Sequence, residues 1–279
     1  MAAVLVVAMA AAQAAELAPA VAEAEALWVQ DQQEAALRLL EQHLAQSPND
    51  VEALWRKARA LYDKGERLAA AKAPVEQRLA LYTEVGRLAE QILAVSPGHA
   101  EGLFWKGTAL GRAATARGIL SSLSSADDVE RLWLQATRAP YRYEAAHGAS
   151  GFPADAHYAL GQFYRLVPDS SIVKVLTGTQ GDIDESLVWL RRGAKAAPRR
   201  VEMWKELGVS LLCKAERDGD AAAAAEGRKA LAQAAGLPVV KATDRIDHQH
   251  IPIILGRADE ACTYSRDGWQ DLDTSKLKP

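Results

Sequence analysis

Four stretches of this chain share one spacing, and that recurrence constrains the fold more than any other feature. They are "VEALWRKARALYDKG" from Val51, "AEGLFWKGTALGRAA" from Ala100, "ADAHYALGQFYRL" from Ala154 and "VEMWKELGVSLLCK" from Val201. Each opens with Ala or Val and has an acidic residue in second place. Bulky side chains fall at the fourth and fifth places. A small residue stands eighth (Ala58, Gly107, Gly161, Gly208), and Leu61, Leu110, Tyr164 or Leu211 stands eleventh. Places four, eight and eleven lie on one face of a helix. A small eighth residue lets a neighbouring helix approach closely.

A second pattern is interleaved with the first. "DQQEAALRLLEQHLAQSPND" (31–50), "YTEVGRLAEQILAVSPGHA" (82–100) and "DIDESLVWLRRGAKAAPRR" (182–200) each run through an amphipathic helix. Each stops at a proline: Pro48, Pro97 or Pro198. Proline cannot continue a helix and disfavours helical geometry in the residue before it, so each helical hairpin closes before the next begins. Alanine is abundant and β-branched residues are sparse, which favours helix over strand. The sequence predicts an all-α chain of stacked helical hairpins.

The alternation resembles the tetratricopeptide repeat, whose period is near 34 residues with a closing proline. "VEMWKELGVSL" is close to that family's first-helix pattern, and Leu17–Asp50 has the full-length unit. The resemblance implies a helical-hairpin solenoid over 16–240. Pro48 and Pro97 stand 49 residues apart, so the hairpins carry lengthened helices or insertions. "ILSSLSSADD" and "APYRYEAAHGASGFP" break the helical period in the third unit. The long units, with "HYALGQFYRL" and then "LTGTQGDIDESLVWLRRGAKAAP", are similar to the T-component proteins of TRAP transporters. They are similar too to the related eukaryotic regulators of microtubule dynamics. The matching residues are His157, Tyr158, Leu160, Gly161, Phe163 and Tyr164, then Gly178, Ser186 to Leu190 and Pro198. That resemblance implies an exported protein whose partner is a periplasmic solute-binding protein, with a homo-oligomer as a further assembly. The sequence lacks a cysteine near its start, which departs from the T-components' usual lipoprotein form.

Stacked hairpins form a superhelix with the first helices lining its concave side. In the tetratricopeptide family the second, fifth and ninth places of that helix commonly face the groove. The fifth places here hold Trp55, Phe104, Tyr158 and Lys205, and ninth places contribute Arg59 and Gln162. These six are the candidate partner or ligand groove. The aromatic row has two readings: packing between repeats, or an apolar surface for a peptide, a helix or a lipid-like ligand. Glu52, Glu101, Asp155 and Glu202 occupy the second places, in the first turn of each helix. Negative charge is favoured there by about 0.3–1 kcal/mol, so helix structure alone accounts for them. His157 stands where Leu103 stands in the second copy. It reads as a packed residue rather than a catalyst.

The start, "MAAVLVVAMAAAQAAELAPA", is a short apolar run followed by small residues, with Ala12-Gln13-Ala14 fitting an A-x-A cleavage site. Residues 1–15 are expected to be a signal peptide and the protein to reach the bacterial periplasm. An alanine-rich first helix in a cytoplasmic protein is the alternative. No later run reaches the roughly 18 apolar residues of a membrane span. Cys213 and Cys262 leave two readings: a disulfide closing a long loop in an oxidising compartment, or a buried helical thiol and an unrelated tail thiol.

Residues 241–279 are expected to form an irregular tail packed on the repeats, with "HIPIIL" (250–255) as an extended segment. Asp244, Asp247, His248 and His250 form the one dense group of metal-ligand types. On a strand the two histidines would share a face, yet no further ligand follows by spacing, and a solvated turn is the plainer reading. No metal or cofactor is assigned.

The 279 residues carry a formal net charge of −3, and their arginine pairs are not interleaved with aromatics, so nucleic-acid binding is not expected. The sequence holds no nucleophile elbow, no phosphate-cradling glycine loop and no H-E-x-x-H. The leading functional reading is a non-enzymatic, exported scaffold that binds a protein partner. The alternative is a carrier of an apolar or lipid-like small molecule in the concave groove. An enzyme built on the tail's Asp/His group ranks third.

Overall fold

A computed structural model describes residues 17–117, 123–266 and 268–270. The expected signal peptide, residues 1–15, lies outside the described residues, as does the last stretch of the tail. Twelve α-helices follow in order among the described residues: α1 Pro19–Val29, α2 Gln33–Gln46, α3 Val51–Ala70, α4 Val75–Val95, α5 Ala100–Arg117 and α6 Ala126–Arg138. Then come α7 Ala154–Leu166, α8 Ser171–Thr177, α9 Ile183–Ala196, α10 Val201–Asp218, α11 Ala221–Ala235 and α12 Ala242–Gly256. Five antiparallel pairs stack in sequence: α1/α2, α3/α4, α5/α6, α7/α9 and α10/α11. The architecture is an all-α, tetratricopeptide-like solenoid.

Local chemistry sets where these helices begin and end. Asp50 accepts from the backbone N–H groups of Glu52 and Ala53 at 3.0 and 3.2 Å, capping α3. Asp182 caps α9 in the same way, at 2.9 and 3.0 Å from Asp184 and Glu185. Helices α2, α4 and α9 each end two residues before Pro48, Pro97 and Pro198.

The eighth place is a close contact in three of these pairs. A Cβ on Gly161 would stand 2.3 Å from Leu190 Cγ of the partner helix α9. On Gly107 it would stand 2.8 Å from Trp133 Nε1, and on Gly208 it would stand 2.7 Å from Leu231 Cγ. The helices touch at glycine because no larger residue leaves room. Leu54, Leu88, Ile92, Leu160, Leu190 and Leu211 are buried along the resulting core.

Two segments outside the repeat pattern cover the concave face. The first, between α6 and α7, carries a short antiparallel hairpin, β1 (Tyr143–Glu144) and β2 (Gly151–Phe152), with Tyr143 opposite Phe152. Its Tyr143 ring packs edge-on against Trp55 at 4.7 Å. The second is the C-terminal segment: α12, a 3-10 turn over Ala258–Thr263, and the hairpin β3 (Tyr264–Ser265) with β4 (Gly268–Trp269).

The segment 250–255 is helical, where an extended strand was expected. The Asp244 carboxylate accepts from the N–H groups of Val240 and Lys241 at 2.9 and 3.0 Å and starts the helix. Ile251 and Ile254, three apart, are buried, while Pro252 faces outward. The β-branched cluster and the proline masked that helical spacing. Cys213 and Cys262 form a disulfide that ties the C-terminal segment to α10.

Candidate functional site

Under these two covers the concave face keeps a cavity of roughly 510 Å³. Inner faces of α3, α5, α6 and α7 form most of its wall, and Ser265, Arg266 and Gln270 close it from the C-terminal segment. Part of its lining is apolar: Phe104, Val129, Trp133, Ala159, Phe163 and Leu166. The charged part of the lining is Arg59, Glu66, Arg112, Arg200, Lys241 and Arg266.

Ion pairs order the charged part. Arg112 Nη2 meets Glu66 Oε1 at 2.7 Å, and the Tyr82 hydroxyl donates to the same oxygen at 3.1 Å. Arg266 donates twice to Asp247, at 3.1 and 2.9 Å. Arg200 Nη2 lies 2.5 Å from Asp155, and its Nε donates to Glu202 at 2.9 Å. Lys241 Nζ donates to Glu202 at 2.6 Å. Burial pushes the Glu202 carboxyl up, but Arg200 and Lys241 outweigh that and hold it well below the usual carboxylate range. Asp63 takes a hydrogen bond from Trp28 Nε1 at 2.7 Å. Burial raises its pKa against the pull of Lys241. Thr108, also on the wall, has a hydroxyl without a hydrogen-bond partner among the described residues.

Of the six groove candidates, Arg59, Phe104, Tyr158 and Gln162 line the cavity. Trp55 does not. The inserted hairpin covers it: the indole is 1% exposed, donates to Glu52 at 3.0 Å and carries the Tyr143 ring. Arg59 is bound on that side too, donating to Glu25 at 2.5 Å and to the Tyr143 hydroxyl at 2.6 Å. Lys205 is covered by the C-terminal segment and is 0% exposed. Its ammonium donates to Asp247 at 2.6 Å and to the Tyr264 hydroxyl at 3.3 Å, and lies 2.9 Å from Glu206. Burial lowers its pKa, but the two carboxylates more than reverse that shift. Beside it, Arg165 Nη1 donates to the carbonyls of Ala261, Cys262 and Tyr264 at 3.1, 3.2 and 2.7 Å. The repeat spacing places these side chains correctly on the inner face. It carries no signal for which of them a non-repeat segment will cover.

The tail's Asp/His group is not a shared ligand face. Residues two apart on a helix point to different sides, so α12 separates His248 from His250. His250 Nδ1 lies 2.9 Å from the Tyr264 hydroxyl, and Asp247 is taken by Lys205 and Arg266. The carboxylates of Glu202, Asp244 and Asp247 do lie within 4.8 Å of one another. Each has partners on at least one oxygen: Arg200 and Lys241, backbone N–H groups, or Lys205 and Arg266. Glu202 Oε2 and Asp244 Oδ1 have no hydrogen-bond partner among the described residues.

Among comparisons with known proteins, one solved tetratricopeptide-repeat structure shares the fold. A family model described as "Regulator of microtubule dynamics protein 1-3" matches residues 20–149. A tetratricopeptide-repeat protein of Thermus thermophilus, TTC0263, is similar in structure with a TM-score of 0.54 at 18% identity, covering 84% of this chain and 97% of that one. YrrB, a repeat protein described as having an unusual peptide-binding site, gives 0.41 at 13% identity, covering 86% and 92%. MamA gives 0.40 at 16% identity, covering 75% and 93%. A search of curated proteins returned no match. The fold is that of tetratricopeptide-repeat proteins.

Proposed function

We propose that the protein is a non-enzymatic helical-repeat scaffold whose concave cavity holds an apolar or lipid-like small molecule. The observation that carries this reading is the cover. The inner face that an open repeat array offers to a partner's peptide is occupied here by the chain's own hairpin and C-terminal segment. What remains, roughly 510 Å³, is the size of a small-molecule site. The aromatic wall supplies apolar contact, and Tyr158, Gln162 and the Thr108 hydroxyl supply a few oriented polar groups. Native mass spectrometry of the purified protein, with titration by an apolar fluorescent probe, tests it. One bound molecule per chain is expected, with affinity falling at least tenfold in Phe163→Asp. A protein that carries nothing and shows no saturable probe binding overturns the reading.

A second reading keeps the protein partner, a solute-binding subunit of a TRAP-type transporter in the periplasm. It is favoured by α8, which lies between the two stretches that resemble the T-components and leaves Ile172 and Val175 67% and 85% exposed. The disulfide supports the oxidising setting this reading needs. A pull-down comparing wild type with Ile172→Asp/Val175→Asp checks it. Loss of a specific partner from a folded variant is expected, and equal recovery overturns it.

A further inference from the structure

A separate cleft is lined by Leu134, Thr137, Arg138, His157, Trp189 and Arg192. None of the six lines the main cavity. Helices α6 and α9, the second helices of neighbouring pairs, supply five of them, and His157 comes from the first turn of α7. The cleft therefore belongs to the outer layer of the array.

Arg138 and Arg192 are exposed, and neither makes an ion pair among the described residues. Other surface arginines of the same helices do: Arg131 with Asp128, and Arg191 with Glu226 at 2.9 Å. The sequence explains the difference. The residues three and four positions from Arg138 are Leu134, Gln135, Tyr141 and Arg142. Those around Arg192 are Val188, Trp189, Lys195 and Ala196. No carboxylate stands within helical reach of either guanidinium.

An aromatic pair lines the cleft beside Arg192. The Arg192 guanidinium carbon sits 4.6 Å from the centre of the Trp189 ring, and the His157 ring lies 5.5 Å from that indole. Burial and the charge of Arg192 push the His157 pKa down to about 4, so the imidazole adds no charge near neutrality. Trp189 Nε1 and His157 Nδ1 are both buried and have no hydrogen-bond partner among the described residues. A buried polar atom left unpaired in a folded protein asks for a missing partner.

The geometry points to an oxyanion site on this outer face: Arg138 and Arg192 hold a carboxylate or phosphate group, and Trp189 Nε1 donates the third hydrogen bond. Guanidinium groups pair with such oxyanions through charge-assisted, forked hydrogen bonds. A free oxyanion and an acidic side chain on a partner carry the same recognised group. The site does not depend on what fills the concave cavity.

The full chain, labelled with ¹⁵N, is titrated with inorganic phosphate and separately with a glutamate-rich hexapeptide, following the Trp189 indole N–H resonance. That resonance is assigned from its loss in Trp189→Phe. A saturable shift is expected with at least one probe, and at least a tenfold loss of affinity in Arg138→Gln/Arg192→Gln with unchanged circular dichroism. Tighter binding of the peptide assigns the site to a partner's acidic segment, and tighter binding of phosphate assigns it to a free anion. No shift with either probe, a shift that survives in the double variant, or one reproduced by sodium chloride at equal ionic strength overturns the proposal.

Discussion

Glu101 and Glu202 occupy the same second place in two repeat helices and are equally hidden, each 2% exposed. Their electrostatics are opposite. Burial raises the Glu101 pKa to about 8, helped by the nearby Asp155 charge, and the opposing pull of Arg59, Trp105 and Arg56 is too small to reverse it. Glu202 sits against Arg200 and Lys241 and stays ionised. The repeat puts both carboxyls at the first turn of an inner helix. Residues outside the repeat helices decide the charge of Glu202: Arg200 lies in the turn before α10, and Lys241 precedes α12. Position is a property of the repeat, and protonation is a property of what surrounds each carboxyl.

Three perturbations test that division, from the largest expected effect to the smallest. Arg200→Met should break it, because Asp155 and Glu202 then lose the guanidinium they share. Removing one partner of a buried pair costs about 3–5 kcal/mol, read by urea unfolding at pH 7. Glu202 should then titrate upward, like Glu101, by ¹³C NMR. An unchanged stability would show that the pair is not buried in solution.

Glu101→Gln should stabilise the protein by a few kcal/mol at pH 8, and the gain should vanish below about pH 4.5. The sign follows from the shift. A carboxyl whose folded pKa is raised contributes most stability below the unfolded value and loses it as pH climbs toward about 8. Glu202 has a depressed folded pKa, so its contribution is present above the unfolded value and is lost as pH falls through the folded one. Melting temperatures of Glu101→Gln and Glu202→Gln across pH 4–8 should therefore move in opposite directions from wild type. Parallel curves would remove the contrast.

Gly161→Ala sharpens the comparison, because it touches the repeat alone. Its methyl group would meet Leu190 at 2.3 Å, and overpacking of this kind costs about 1–3 kcal/mol. The loss should be the same at pH 5 and pH 8. A pH-dependent loss would mean that packing and charge are not separable here.

The same division explains what the sequence disclosed. Gly107, Gly161 and Gly208 announce where helices touch, and Pro48, Pro97 and Pro198 announce where hairpins close, because those constraints are local. Tyr158 and Gln162 on the cavity wall follow from helical spacing. Trp55 and Lys205 satisfy the same spacing but are covered, by Tyr143 from 88 residues away and by Tyr264 from 59 residues away. No local pattern reports contacts at that range. The helix 242–256 was hidden for a different reason: its buried face is only Ile251 and Ile254 beyond an acidic start, within a stretch whose residue types favour strand.

The bond between Cys213 and Cys262 has a consequence for how the molecule comes apart. In stacked repeats each unit is held mainly by its neighbours. Here the loop enclosed by that crosslink contains α11 and α12, so when these helices open they remain tethered to α10 at both ends. At α1 the described fastenings are non-covalent, among them Glu25 to Arg56 and Arg59 and Trp28 to Asp63. Two sulfur atoms thus restrict how far one flank of the array can stray once its packing is lost.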